Sequence, residues 1–389
     1  MFLGLGSMLG AGVFAAFTPA AQAAGSGLLV GLAVAAIVAF CNASSSAQLA
    51  AAYPTSGGTY VYGRERLGAW WGFIAGWGFV VGKTASCAAM ALVFAAYAAP
   101  AGWEKPFAVA AVVLLGTVNA LGVAKTAALT RVLVVIVFLA LGLGVAANVS
   151  TGVDLGGLDL VAAGPYGILQ SAGLLFFAFA GYARIATLGE EVRDPERTIP
   201  RAIVIALGIV VVIYAVVAVV LLGALGPDTL ASTDTPLAVG PFAAAVEFGA
   251  AAAALGALLG LMAGIGRTTL AMARNSDLPS WLAAVHPRFG VPHRAEIVLT
   301  LVIVAVVMVA DVRAAIGFSS FGVLVYYFIA NVAALGQGAD ARRYPRAVQV
   351  AGALLCAVLV MTLPLPSIIG GLAVIVVGVA YRVIRLRMG

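Results

Sequence analysis

The chain has 389 residues, 63% of them hydrophobic and 9% charged, with a formal net charge of +6 at pH 7. At a mean hydropathy of +1.12 it carries too few polar side chains to coat a water-soluble globule of its size, which excludes a soluble fold and places it in lipid.

Runs of about 20 apolar residues cross a hydrocarbon core about 30 Å thick as helices. On that rule the sequence predicts an all-α integral membrane protein with about twelve transmembrane helices. They lie near 2–20, 25–52, 68–98, 104–123, 129–149, 166–187, 200–223, 243–266, 295–311, 316–335, 347–363 and 366–384. No turn or charge cluster divides the 68–98 run, so it reads as one long tilted helix. When the loop after each even-numbered span is cytoplasmic, every Lys and Arg falls inside except Lys105 and Arg313, which fall outside, and Lys83 and Arg184, which fall within spans. The positive-inside rule then predicts that both termini are cytoplasmic. Topology accounts for the net charge, and no nucleic-acid partner is implied. The abundance of alanine and glycine suits a GC-rich bacterial genome, so the expected location is the bacterial plasma membrane. Met1 lies almost at the first apolar residue with no basic lead-in. This suggests a short cytoplasmic lead ahead of it, and not a cleaved signal peptide.

In the first span Gly4, Gly6, Gly10 and Gly12 crowd together with Ser7 among them. Glycine has low helix propensity and tolerates unusual backbone angles, so the helix can unwind here. Unwinding inside lipid is costly unless the freed backbone groups face a ligand, a cavity or protein. The resuming helix presents its amides, which suit a carboxylate, and carbonyls across the break suit an ammonium. Those are the two ends of an α-amino acid. Taken alone, Gly6-x-x-x-Gly10 reads as a seam for close helix packing. A second interrupted span, Phe176-Phe-Ala-Phe-Ala-Gly-Tyr182, lies at the matching place in the other half and turns the reading toward a midplane substrate site. Its aromatic stripe has a packing alternative of its own, but beside a break the rings can also act as lids. The charged stretch from Glu190 to Pro200 reads mainly as a solvated cytoplasmic loop.

Lys83 is the one ionisable group that the sequence sets deep within a span. A charge there costs at least about 2.5 kcal/mol on insertion scales, so a function is the default expectation. Three readings stand open: a cation replacing sodium or carrying a proton, a direct substrate or selectivity contact, and a structural lysine bonded to helix-break carbonyls. A fixed cation would disfavour cationic substrates. Cys41, Cys87 and Cys356 lie in separate apolar stretches and read as small core residues, with neither a disulfide nor a metal site suggested. His286 and His293 read as ordinary loop residues. No cofactor, metal or clustered catalytic set is expected, which disfavours an enzyme.

Gly6-Ser-Met-Leu-Gly-Ala-Gly-Val-Phe14, Tyr53-Pro-Thr-Ser-Gly-Gly-Thr-Tyr60, Phe176–Tyr182 followed by Glu190-Glu191 and Asp194-Pro195, and Arg274-Asn-Ser-Asp-Leu-Pro279 together resemble the amino acid–polyamine–organocation permeases, over essentially the whole chain. The resemblance implies a single membrane transport domain over 1–389. Within it are a five-plus-five inverted repeat (1–149 and 166–335) and two additional helices (347–384), working by alternating access. It also implies a central site, with Ala11 and Gly12 offering amides to the substrate carboxylate near Ser7 and Gly10. Met8, Phe177 and Ala178 would offer carbonyls to its amino group, and Phe179 or Phe177 would form an aromatic gate beside Gly181. Lys83 would border that cavity, and the Tyr53–Tyr60 segment would belong to the inner gate. The chain departs from the family at Ala183 and Arg184, where many members have an acidic residue, and near Val137, where some proton-coupled members place a lysine. The expected partners are an amino acid, a coupling proton or exchanged solute, and the bilayer. An amino acid sensor or channel of the same fold is the alternative.

Overall fold

The computed structural model describes residues 2–53, 57–122, 127–182, 194–338 and 342–388, and no strand occurs among them. The first span is three short helices, α1 (Phe2–Met8), α2 (Ala11–Ala15) and α3 (Phe17–Ala24). A 3-10 turn at Gly25–Gly27, where Gly25 has φ of +52°, leads into α4 (Leu28–Ala52). Then follow α5 (Thr59–Leu67), α6 (Ala69–Ala98), α7 (Glu104–Ala120), α8 (Ala127–Ser150) and α9 (Gly164–Phe179). The remaining helices are α10 (Pro195–Ser232), α11 (Ala243–Arg274), α12 (His293–Val309), α13 (Val312–Leu335), α14 (Arg346–Thr362) and α15 (Leu365–Met388).

Among the described residues, seven helical segments are long and apolar enough to cross a membrane: Phe17–Ala52, Ala69–Ala98, Thr130–Ser150, Arg197–Ser232, Gly240–Arg274, Val312–Leu335 and Leu365–Arg387. The other predicted spans correspond to shorter elements. The first is broken, and α7, α9, α12 and α14 have 17, 16, 17 and 17 residues. At 1.5 Å per residue such helices extend roughly 25 Å, less than a 30 Å core. Helix α10 outruns its predicted span and kinks at Gly226, where φ is +73°.

Helices α6 and α13 are buried over 78% and 72% of their apolar lengths, against 22% for α15, so the first two form the centre and the last lies on the periphery. Outward-facing Leu139, Val212, Leu301, Leu354, Met361 and Val376 are exposed, as lipid-facing positions must be apolar. Inside, polar side chains staple the helices together. Ser45 donates to Asn331 Oδ1 at 2.7 Å, Asn331 donates to Asn42 Oδ1 at 2.6 Å, and Gln48 donates to Gln337 Oε1 at 2.6 Å. These bonds tie α4 to α13 and to the residues just after it, using the interhelical polar contacts that hold membrane helices where lipid and leucine are equally apolar.

Candidate functional site

The first break lies at Leu9–Gly10. Leu9 N still donates to Leu5 O, while Gly10 leaves helical geometry with ψ of −149° before α2 starts at Ala11. Ala257 of α11 presses on the bend, where a Cβ on Gly10 would lie 2.7 Å from the Ala257 Cβ. The second break follows α9, which passes into a 3-10 turn at Ala180–Tyr182.

The two breaks pack directly on each other. A Cβ on Gly181 would overlap the Ser7 carbonyl and lie 2.7 Å from Met8 N, and one on Gly12 would lie 2.8 Å from Ala178 Cα. Only glycine at both positions allows backbones to approach this closely. Tyr214 of α10 bridges the junction, its hydroxyl donating to the Met8 carbonyl and lying 3.1 Å from the Ala178 carbonyl. Lys83 of α6 reaches the same junction and donates to the Ala180 carbonyl at 3.2 Å. Its side chain is 5% exposed. The Lys83 amine there meets the negative end of the α9 dipole.

Aromatic rings close around the breaks. Phe179 stands 4.9 Å from Tyr214, and Phe176 lies edge-on to Tyr327 at 5.8 Å. Tyr182 and Tyr327 are 5.1 Å apart. Tyr97 donates to the Phe14 carbonyl at 3.2 Å, anchoring α2 to α6. A separate apolar cavity of about 560 Å³ opens between α6, α11, α12, α13 and α15, but no residue of the breaks lines it.

Away from the breaks, Asp277 gathers three donors from two distant helices. Its carboxylate accepts from Tyr60 at 2.8 Å, from Arg64 at 3.2 Å and from Arg382 of α15. The Arg382 guanidinium lies over the rings of Trp70 and Phe73, at 4.9 and 4.7 Å from their centroids. Burial and the neighbouring Asp277 carboxylate hold the Tyr60 phenol protonated, well above the usual tyrosine range.

All the residues that the sequence singled out in the breaks lie at this junction: Ser7, Met8, Gly10, Ala11, Gly12, Phe177, Ala178, Phe179 and Gly181, with Lys83 beside them. In this conformation each of the three carbonyls read as ammonium acceptors has an internal partner. Met8 and Ala178 face Tyr214, and Phe177 accepts from Ala180 N. Sequence reasoning missed Tyr214, whose signal is a lone phenol in an otherwise aliphatic run, and Tyr97. It also gave Lys83 as the single deeply placed ionisable group, whereas the fold buries Glu296 at 2% and Arg382 at 6% exposure near the ends of their helices. Hydropathy sees such residues as span edges because it cannot see the notch or ring pair that covers them. Ala183, Arg184, Glu190 and Glu191, and the Pro54–Ser56 part of the predicted inner gate, lie outside the described residues.

Crossed helix breaks inside a bundle of apolar helices define a membrane transporter. A family model described as amino acid permease matches residues 1–383, and the chain belongs to that family, within the amino acid–polyamine–organocation superfamily. It is 59% identical over 392 aligned positions to an uncharacterised transporter of Mycobacterium tuberculosis, covering 98% of this chain and 89% of the relative. It is 25% identical to the branched-chain amino acid permease BcaP of Bacillus subtilis, over 75% of this chain and 70% of that one. It is also 27% identical to the methylthioribose transporter of the same organism, over 75% and 69%. The chain is therefore a multi-pass bacterial membrane permease for amino-acid-like solutes, and not an enzyme.

Proposed function

We propose that this permease carries amino acids by alternating access through twelve spans. Spans 1–5 (1–149) and 6–10 (166–335) form inverted repeats within a single transport domain, with two further helices at 347–384 and both termini cytoplasmic. The observation that carries this reading is the seating of Gly181 on the Ser7–Met8 backbone, which brings the two breaks together. A substrate entering there meets the α2 amides of Ala11 and Gly12 through its carboxylate. Its ammonium meets the Met8, Phe177 and Ala178 carbonyls, displacing the Tyr214 hydroxyl, and Phe179 or Phe177 closes over it. Lys83, a cation held at Ala180, disfavours a second positive charge, so neutral or acidic amino acids are preferred over cationic ones. Transport is driven by protons or by exchange.

Counterflow of labelled amino acids in proteoliposomes tests this reading, after a thermal-shift screen has ranked neutral, acidic and cationic amino acids, since a ligand that prefers the folded state raises apparent stability. Expected is counterflow with the amino acid that stabilises most. Binding without counterflow would point instead to a sensor.

A further inference from the structure

Glu296 belongs to no part of the site above. It sits in the first turn of α12 and is 2% exposed, with Oε2 lacking a hydrogen-bond partner among the described residues. Its other oxygen occupies a notch in α11 made by Gly266, where a Cβ would collide with Oε1. An ionised carboxylate buried in a membrane helix with one oxygen unpartnered carries a large desolvation cost, which binding a proton relieves.

Among the described residues no cation forms a salt bridge with it. From α11, Arg267 attracts the carboxyl electrostatically. From α6, Cys87 lies within electrostatic reach of both Glu296 and Lys83. From α7, Lys105 is committed to the Val307 and Ala310 carbonyls at the other end of α12, with Glu104 next to it in the chain. The short turn Ser280–Ala283 carries no titratable side chain. On its own helix, His293 and Arg294 precede it; the His293 ring packs on His286 at 5.3 Å, and Arg294 donates to the Trp281 carbonyl. Glu296 thus faces a helix that also bends the first break, since α11 supplies Ala257 against Gly10.

We propose that Glu296 is a proton-binding site of the transport cycle. It holds a proton while α11 and α12 are packed on each other, and its O–H bond breaks to give that proton to water when the helices part and solvent reaches the carboxyl. This rests on the transport reading above and names the group through which a proton enters it. Because α11 touches both Gly10 and Glu296, the charge state of the carboxyl biases the helix that shapes the substrate break.

The test uses the full chain and Glu296→Gln, an uncharged near-isostere, with Glu296→Met as a second variant should the amide not fold. The first measurement is the infrared difference spectrum of wild type against variant at neutral pH. A protonated-carboxyl band contributed by wild type is expected, and an ionised-carboxylate band in its place overturns the proposal. The second is amino acid counterflow with equal pH on both sides, scanned across pH. Wild type is expected to slow as pH rises while the variant keeps a flat profile; a variant with the wild-type profile overturns the proposal. If wild type shows no counterflow with any amino acid, the transport reading fails, and with it the proposed role in the cycle. The infrared arm still decides whether Glu296 binds a proton.

Discussion

The Tyr214 hydroxyl donates to the carbonyl of Met8 across the junction of the two broken helices, with the Ala178 carbonyl 3.1 Å away on the other side. One proton is shared by two acceptors, so an ammonium with several donors can satisfy both where the phenol cannot. Tyr214→Phe leaves buried carbonyls without their donor, at a cost of about 1–3 kcal/mol. The expected result is a lower melting temperature in detergent together with reduced counterflow, and a variant that matches wild type in both contradicts the bridging role.

The close approach at Gly181 makes a sharper test. A methyl group there overlaps the Ser7 carbonyl, while one on Gly142 meets nothing within 4 Å. Gly181→Ala is expected to cost about 1–3 kcal/mol through overpacking and to abolish counterflow. Gly142→Ala should behave as wild type in both assays, and equal behaviour of the two variants would contradict the packed junction.

Lys83 ties α6 to the end of α9 through Ala180. Lys83→Met removes both the bond and the fixed charge. Competition of labelled substrate by unlabelled cationic amino acids is expected to become stronger in the variant, because the repelling charge is gone. Unchanged selectivity with a changed pH profile would instead make the lysine a coupling group.

Asp277 and Arg382 are 4% and 7% exposed at their side chains, deep enough that removing one partner strands the other. Arg382→Met is expected to destabilise by about 3–5 kcal/mol, as for other broken buried pairs. Arg64, at 32% exposure, is screened by solvent, and Arg64→Met should cost about 0–1 kcal/mol. Thermal unfolding of the two variants side by side checks the ranking, which the reverse order would overturn.

Much of this was legible in the chain. The glycine cluster Gly4–Gly12 and the Phe176–Tyr182 run marked the two breaks because a helix interruption within an apolar span is rare in sequence and costly in lipid. That these breaks touch was not legible: the contact between Gly181 and Ser7 is set by how α1 and α9 cross, and no local pattern records a crossing. The partners from other helices were hidden for the same reason. Tyr214 looks like one more large residue among valines, and Glu296 like the polar edge of a span, until α11 presents Gly266 to it. Helix length was the weakest inference, since an apolar run continues past the point where the backbone bends, as it does beyond Phe179.

The Asp277 cluster has a consequence for biosynthesis. Tyr60 and Arg64 are made long before Asp277, but Arg382 follows it by 105 residues, so the carboxylate acquires its buried guanidinium only after several further helices have left the ribosome. Until then this end of the bundle carries an acid held by one phenol and one half-exposed guanidinium. Helix α15, though mostly lipid-facing, therefore locks together segments laid down much earlier in synthesis.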